Sequence, residues 1–130
     1  HLLLAEDNEL NSEIATALLE EQGASITAVE NGRLALEAIQ NAAPRTYDAI
    51  LMDVMMPEMN GLEATRCIRA FEGKGPDEGT PIIAMTANVF ADDVKACLDA
   101  GMNSHVGKPL DMKILMAEIL KYTNRARSIR

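Results

Sequence analysis

Residues 47–53 read YDAILMD, and residues 54–61 read VMMPEMNG. The first stretch is a short apolar run closed by a loop containing Pro57, the pattern of a strand buried on both faces. Such a strand belongs in a parallel sheet with helices above and below it. Its carboxyl end is an acid, Asp53, and a helix is predicted from Gly61 to about Glu72. The alternation continues in both directions. Towards the N-terminus, Leu2 to Ala5 reads as a strand that ends at Glu6-Asp7-Asn8. A helix is predicted from Glu9 to about Gln22, with Leu10, Ile14 and Leu18 on one face and Gly23 stopping it. Ala24 to Val29 is a short strand, Asn31-Gly32 a turn signal, and Arg33 to about Ala42 a helix with Ala35, Leu36 and Ile39 inward.

Towards the C-terminus, residues 73–81 (GKGPDEGTP) form a polar loop, and Pro81 to Met85 is a strand ending at Thr86. Ala91 to Ala100 is predicted helical, with Val94, Cys97 and Leu98 on one side and Gly101 stopping it. Ser104 to Gly107 is a strand leading into Lys108-Pro109, and Met112 to Tyr122 a helix with Met112, Leu115, Met116 and Ile119 on one face. Strict alternation of five strands and five helices implies an α/β fold, a parallel sheet covered on both faces. Residues 1–123 read as the domain and 124–130 as a frayed helix end or linker.

The 130 residues suit one core, and 48% hydrophobic with 25% charged is a globular composition. Aromatics are only 3%, so the core is aliphatic and stacking platforms for single-stranded nucleic acid are missing. A net charge of −8 disfavours direct contact with DNA, RNA or anionic lipid. No apolar run reaches the ~18 residues that span a bilayer. Cys67 and Cys97 lie in predicted helices outside any metal-type spacing and read as reduced, half-buried thiols. The chain reads as a cytoplasmic domain cut from a longer polypeptide, which leaves a membrane-bound parent open.

In an open parallel sheet, ligands bind beyond the carboxyl ends of the strands. Those ends carry Glu6-Asp7, Asp53, Thr86 and Lys108. Crowded carboxylates repel unless a cation lies between them, and oxygen donors suit Mg²⁺ or Mn²⁺. Lys108 and Thr86 supply a cation and a hydroxyl for phosphoryl oxygens, and a carboxylate can itself take a phosphoryl group. Taken singly, each residue has a plainer reading. Glu6 or Asp7 serves equally well as a helix N-cap, Asp53 as a loop acid, Thr86 as a cap and Lys108 as a surface lysine. Their joint placement at strand ends favours the functional reading.

Glu6-Asp7, Asp53 through Pro57 to Gly61, Met85-Thr86-Ala87 and Lys108-Pro109 together resemble the response-regulator receiver family of two-component signalling. The resemblance covers nearly the whole chain and implies a flavodoxin-like (βα)5 sandwich with strand order 2-1-3-4-5. It implies Asp53 as phosphoacceptor and Asp7, Glu6 and the Met55 carbonyl as Mg²⁺ ligands, with Glu6 acting directly or through water. Lys108 would pair with the phosphoryl group, the Lys108-Pro109 bond would be cis, and Thr86 would swing towards the phosphoryl group. The family often has Tyr or Phe three residues before the lysine. Here that position is His105, either an ordinary strand histidine or a polar switch ring that titrates near neutrality.

Residues 85–111 look most like receivers of hybrid sensor histidine kinases. That implies a histidine kinase or a histidine phosphotransfer domain as partner, docking on the first helix through Asn11, Ile14, Ala15 and Leu18. Self-phosphorylation and autodephosphorylation would be the domain's own chemistry. Two rivals stand beside this reading. A pseudo-receiver is never phosphorylated, yet such modules usually lose an acid or the lysine, and this chain keeps all five groups. An aspartyl-phosphate phosphatase commonly needs an acid two residues after the nucleophile, where this chain has Met55.

Overall fold

The computed structural model describes residues 1–43, 46–54, 56, 59–75, 79–86, 91–107 and 111–129, without the side chains of 91–93 and 123–129. Among the described residues, five strands alternate with five helices: β1 (Leu2–Ala5), α1 (Glu9–Glu21), β2 (Ile26–Val29), α2 (Gly32–Asn41), β3 (Ala49–Asp53), α3 (Gly61–Glu72), β4 (Ile82–Thr86), α4 (Ala91–Ala100), β5 (Ser104–Gly107) and α5 (Met112–Ile129). All pairings are parallel, and the order is β2-β1-β3-β4-β5, as the resemblance implied.

The apolar runs are strands because both of their faces find cover. Leu3, Ile50, Met52 and Ile82 pack under Ala35 and Ile39 of α2, Ala64 and Ile68 of α3, and Cys97 of α4. Leu2, Leu4, Leu51, Ile83 and Val106 pack under Ala15 and Leu19 of α1 and Leu115 and Ile119 of α5. Leu3, Leu4, Ile50, Leu51, Ile82 and Ile83 have no exposed surface. Each such side chain contributes about 1.5–3 kcal/mol of burial. Gly23 and Gly101 end α1 and α4 with φ of 92° and 109°, a conformation that favours glycine.

Three helix readings need correction. Leu10 and Ile14 are 64% and 50% exposed and Leu18 is half-buried, so they do not form the core face of α1. The buried stripe runs one residue over, through Ala15 and Leu19. A spacing of four drifts about 40° per step around a 3.6-residue helix, and a small Ala in the true stripe is easily overlooked. In α4, Leu98 is 49% exposed, while Cys97 and Ala100 are buried. Finally, α5 continues past Tyr122 to Ile129, since no Gly or Pro interrupts residues 123–129. Neither cysteine is in a disulfide, but Cys97 is fully rather than half-buried.

The opposite end of the sheet from Asp53 is held by a buried polar network that the sequence reading did not anticipate. Arg69, on α3, donates from Nε to the Gly101 carbonyl, from Nη1 to Glu72 and to the Thr80 carbonyl, and from Nη2 to Asn103 Oδ1. Glu72 accepts from the Thr80 backbone N–H and hydroxyl, and Asn103 Oδ1 accepts from Ile82 N–H. Tyr122 of α5 donates to the Asn103 carbonyl at 3.0 Å. Burial pushes the Arg69 guanidinium below its ordinary pKa, and the Glu72 carboxylate works against that. One cation thereby ties α3, the start of β4 and the α4–β5 turn. Arg69→Met leaves Glu72 and Asn103 short of a buried donor and is expected to lower stability by about 3–5 kcal/mol. Urea unfolding checks this, and a loss under about 1 kcal/mol would show the network to be dispensable.

Candidate functional site

The site is built where β1, β3 and β4 end. Glu6 follows β1, and its backbone N–H continues the ladder to the Val29 carbonyl at 3.1 Å. Asp53 is the last residue of β3, in register with Met85, and Thr86 is the last of β4, in register with Gly107. Glu6, Asp53 and Thr86 are 5%, 4% and 7% exposed, whereas Asp7 faces solvent. Polar groups are buried at this rim because the chain must leave the sheet here.

Carboxylate oxygens of Glu6, Asp7 and Asp53 lie within 4.8 Å of one another. Two ionised carboxylates at that distance repel by about 3 kcal/mol at an effective dielectric near 20. The set is all oxygen, which fits a hard divalent cation. Octahedral ligands at 2.0–2.1 Å lie about 2.9 Å apart when cis and about 4.1 Å when trans. The trio therefore fits the ligand shell of one Mg²⁺. Among the described residues no other group of three acids, histidines or cysteines comes together this way.

The capping alternative for the two N-terminal acids does not hold. Asn8 caps α1, its side chain accepting from Asn11 N–H at 2.9 Å. Glu6 instead accepts from Asn8 N–H at 3.2 Å, which orients its carboxylate. Asn31 and Asn60 cap α2 and α3 in the same way, at 2.8 Å and 3.0 Å. The loop after Asp53 is tied at both ends. Val54 N–H donates to Met85 O, Gly61 N–H to Val54 O, and Gly32 N–H to Met59 O. Read in sequence as a turn signal, Asn31-Gly32 is in fact the start of α2, pressed against that loop.

Met55, Lys108 and Pro109 lie outside the described residues. Lys108 directly follows Gly107, the residue of β5 in register with Thr86. His105 is half-buried and in register with Ala84. Ala84 packs under α2, α3 and α4, and Val106 under α1 and α5. Alternation along the strands therefore puts His105 and Thr86 on the same side of the sheet, the side covered by α4. On α1, Asn11 and Ile14 are exposed and Leu18 is half-buried, while Ala15 is 4% exposed and belongs to the core. Leu10, on the same predicted face as Ile14 and Leu18, lies exposed beside Glu9 and Glu13.

The family model described as the response regulator receiver domain matches residues 2–120. The chain is 39% identical over 149 residues to a probable histidine kinase of Oryza sativa subsp. indica, covering 93% of this chain but 15% of that protein. It thus spans a small part of that relative's length. The receiver domain of a sensor histidine kinase from Pseudomonas aeruginosa superposes with a TM-score of 0.82 at 37% identity, covering 95% of this chain and 96% of that one. That structure holds a magnesium ion coordinated in its active-site cleft. A receiver from Saccharomyces cerevisiae, solved bound to a histidine phosphotransfer protein, superposes at 0.84 and 26% identity, covering 95% and 88%. With a matching model that runs almost end to end and a sheet of the same order, the chain belongs to the response regulator receiver domain family.

Proposed function

We propose that this domain accepts a phosphoryl group on Asp53 from a phosphohistidine in a two-component phosphorelay. The observation that carries the reading is the meeting of Glu6, Asp7 and Asp53 within 4.8 Å at the carboxyl rim of the sheet. An Asp53 oxygen attacks phosphorus, the new P–O bond forms as the P–N bond breaks, and the imidazole leaves with that electron pair and takes a proton from solvent. Later attack by water on phosphorus releases inorganic phosphate and restores the carboxylate. Glu6, Asp7, Asp53 and the Met55 carbonyl would hold Mg²⁺, or Mn²⁺ in its place. The bound ion supplies charge neutralisation to the incoming phosphoryl oxygens. Lys108 and the Thr86 hydroxyl would hold those oxygens. A cis Lys108-Pro109 bond belongs to the same reading.

Residues 1–123 form the receiver unit, and 124–130 its tail or linker. The partner is a histidine kinase or a histidine phosphotransfer domain, docking on α1 through Asn11, Ile14 and Leu18, with exposed Leu10 added and buried Ala15 supporting from below. The parent is a hybrid histidine kinase, with the receiver on its cytoplasmic side. No helix among the described residues is long and apolar enough to cross a membrane.

Thr86 and His105 form the switch pair. They share a face of the sheet, and the small Ala84 is in register with His105, which supports a ring that repositions when Thr86 moves. His105→Phe is expected to change the ratio of partner affinities with and without phosphorylation by about two- to thirtyfold. An unchanged ratio in titration of the two forms would remove His105 from the switch.

The function itself is tested by incubating the domain with acetyl phosphate and Mg²⁺ and reading intact mass. Wild type is expected to gain one phosphoryl group, to gain none in EDTA, and Asp53→Ala to gain none at all. If small donors are slow, a phosphohistidine donor gives the same readout. A folded wild type that takes no phosphoryl group from either donor would make the domain a pseudo-receiver.

A further inference from the structure

We infer that Gly32, the first residue of α2, is a positioning residue for the metal and phosphoacceptor site. The inference rests on the reading above and extends it to a residue of another element. Gly32 does not need a glycine conformation, since its φ is not positive. It needs glycine's size. A β-carbon built there would lie 2.3 Å from the Met59 carbonyl oxygen, 3.0 Å from the Asn60 carbonyl oxygen and 2.9 Å from the Ala64 β-carbon. Its N–H also donates to that same Met59 oxygen at 3.0 Å. The bare α-carbon is what lets the first turn of α2 reach the loop and hold it.

The loop held in this way leads straight back to Asp53. Asn60 caps α3, and a β-carbon on the next residue, Gly61, would lie 2.3 Å from the Asp53 carbonyl oxygen. Two close backbone approaches in series therefore connect α2 to the main chain of Asp53. Relief of the clash at Gly32 cannot come from a side-chain rotation, because two of the three neighbours are main-chain oxygens. Nor can α2 simply retreat: Asn31 caps it, and Ala35 and Ile39 are buried in the core. Restoring an ordinary contact of 3.4 Å asks the loop to move by about 1 Å, a displacement that is costly to a preorganised site.

Mg²⁺ alone is the probe, followed by amide chemical shifts in the intact domain. Gly32→Ala is expected to raise the Mg²⁺ dissociation constant by about tenfold or more, as loss of outer support does at other metal sites. At saturating Mg²⁺ its labelling rate should return towards wild type, which separates lost affinity from lost chemistry. Ile119→Val and Ile119→Ala serve as controls that loosen the opposite side of the sheet by graded amounts. They should keep wild-type Mg²⁺ affinity at thermal midpoints as low as that of Gly32→Ala. By linkage, Mg²⁺ should also slow hydrogen exchange of the Gly32 amide in wild type, a readout that needs no variant. A Gly32→Ala domain that binds Mg²⁺ like wild type would overturn this inference alone. Controls that weaken equally, or a Gly32 amide indifferent to Mg²⁺, would do the same. A wild type that binds no Mg²⁺ would overturn the functional reading and this inference with it.

Discussion

Three carboxylates held within 4.8 Å of one another are the constraint on which the rest of the structure depends. Here two of them, Glu6 and Asp53, are buried at the ends of neighbouring strands, because β1 and β3 pair in a register that brings Ala5 beside Met52. The sheet thus imposes the cluster, and the aliphatic burial on both of its faces stabilises the arrangement against the repulsion.

The two ends of the sheet are built differently. At the carboxyl rim, backbone groups and asparagine caps set the loops: Asn8, Asn31 and Asn60 each cap the helix that follows, and Gly32 and Gly61 let carbonyls approach at short range. At the other end, one buried guanidinium gathers the Gly101 and Thr80 carbonyls, Glu72 and Asn103. That network ties the C-terminal end of α4 and the start of β5 to α3. Thr86 lies at the far end of β4, away from this anchor, and His105 lies on the same sheet face as Thr86. A phosphoryl group acting at the rim would work against a fixed floor, and a two-state response needs that kind of contrast between rigid and adjustable parts.

Much of this was legible in the sequence for a plain reason. Buried parallel strands are short apolar runs, and the residue that ends each run is the one that reaches the rim. YDAILM followed by Asp53, LLLA followed by Glu6-Asp7, and IIAM followed by Thr86 all announce both the strand and the site. The helix faces were harder. On α1, Ala15 is a core residue with little hydrophobic signal of its own, and the larger, exposed Leu10 and Ile14 carry the visible periodicity. Arg69 looked like any helix arginine, because its partners Thr80, Gly101 and Asn103 are 11, 32 and 34 residues away. Asn31-Gly32 was visible, but as a turn, since the demand for a bare α-carbon comes from Met59 and Asn60 on another loop.

The central claim is that the three carboxylates share one divalent cation, with Asp53 among its ligands. Thermal unfolding of wild type and Asp53→Asn, each in EDTA and in excess Mg²⁺, measures this directly. The account predicts that Asp53→Asn is more stable than wild type in EDTA, because one repelling charge is gone. It predicts that Mg²⁺ stabilises wild type, by about 2.7 kcal/mol at a hundred times its dissociation constant, and stabilises the variant much less. A variant no more stable than wild type in EDTA, with the same gain from Mg²⁺, would contradict it.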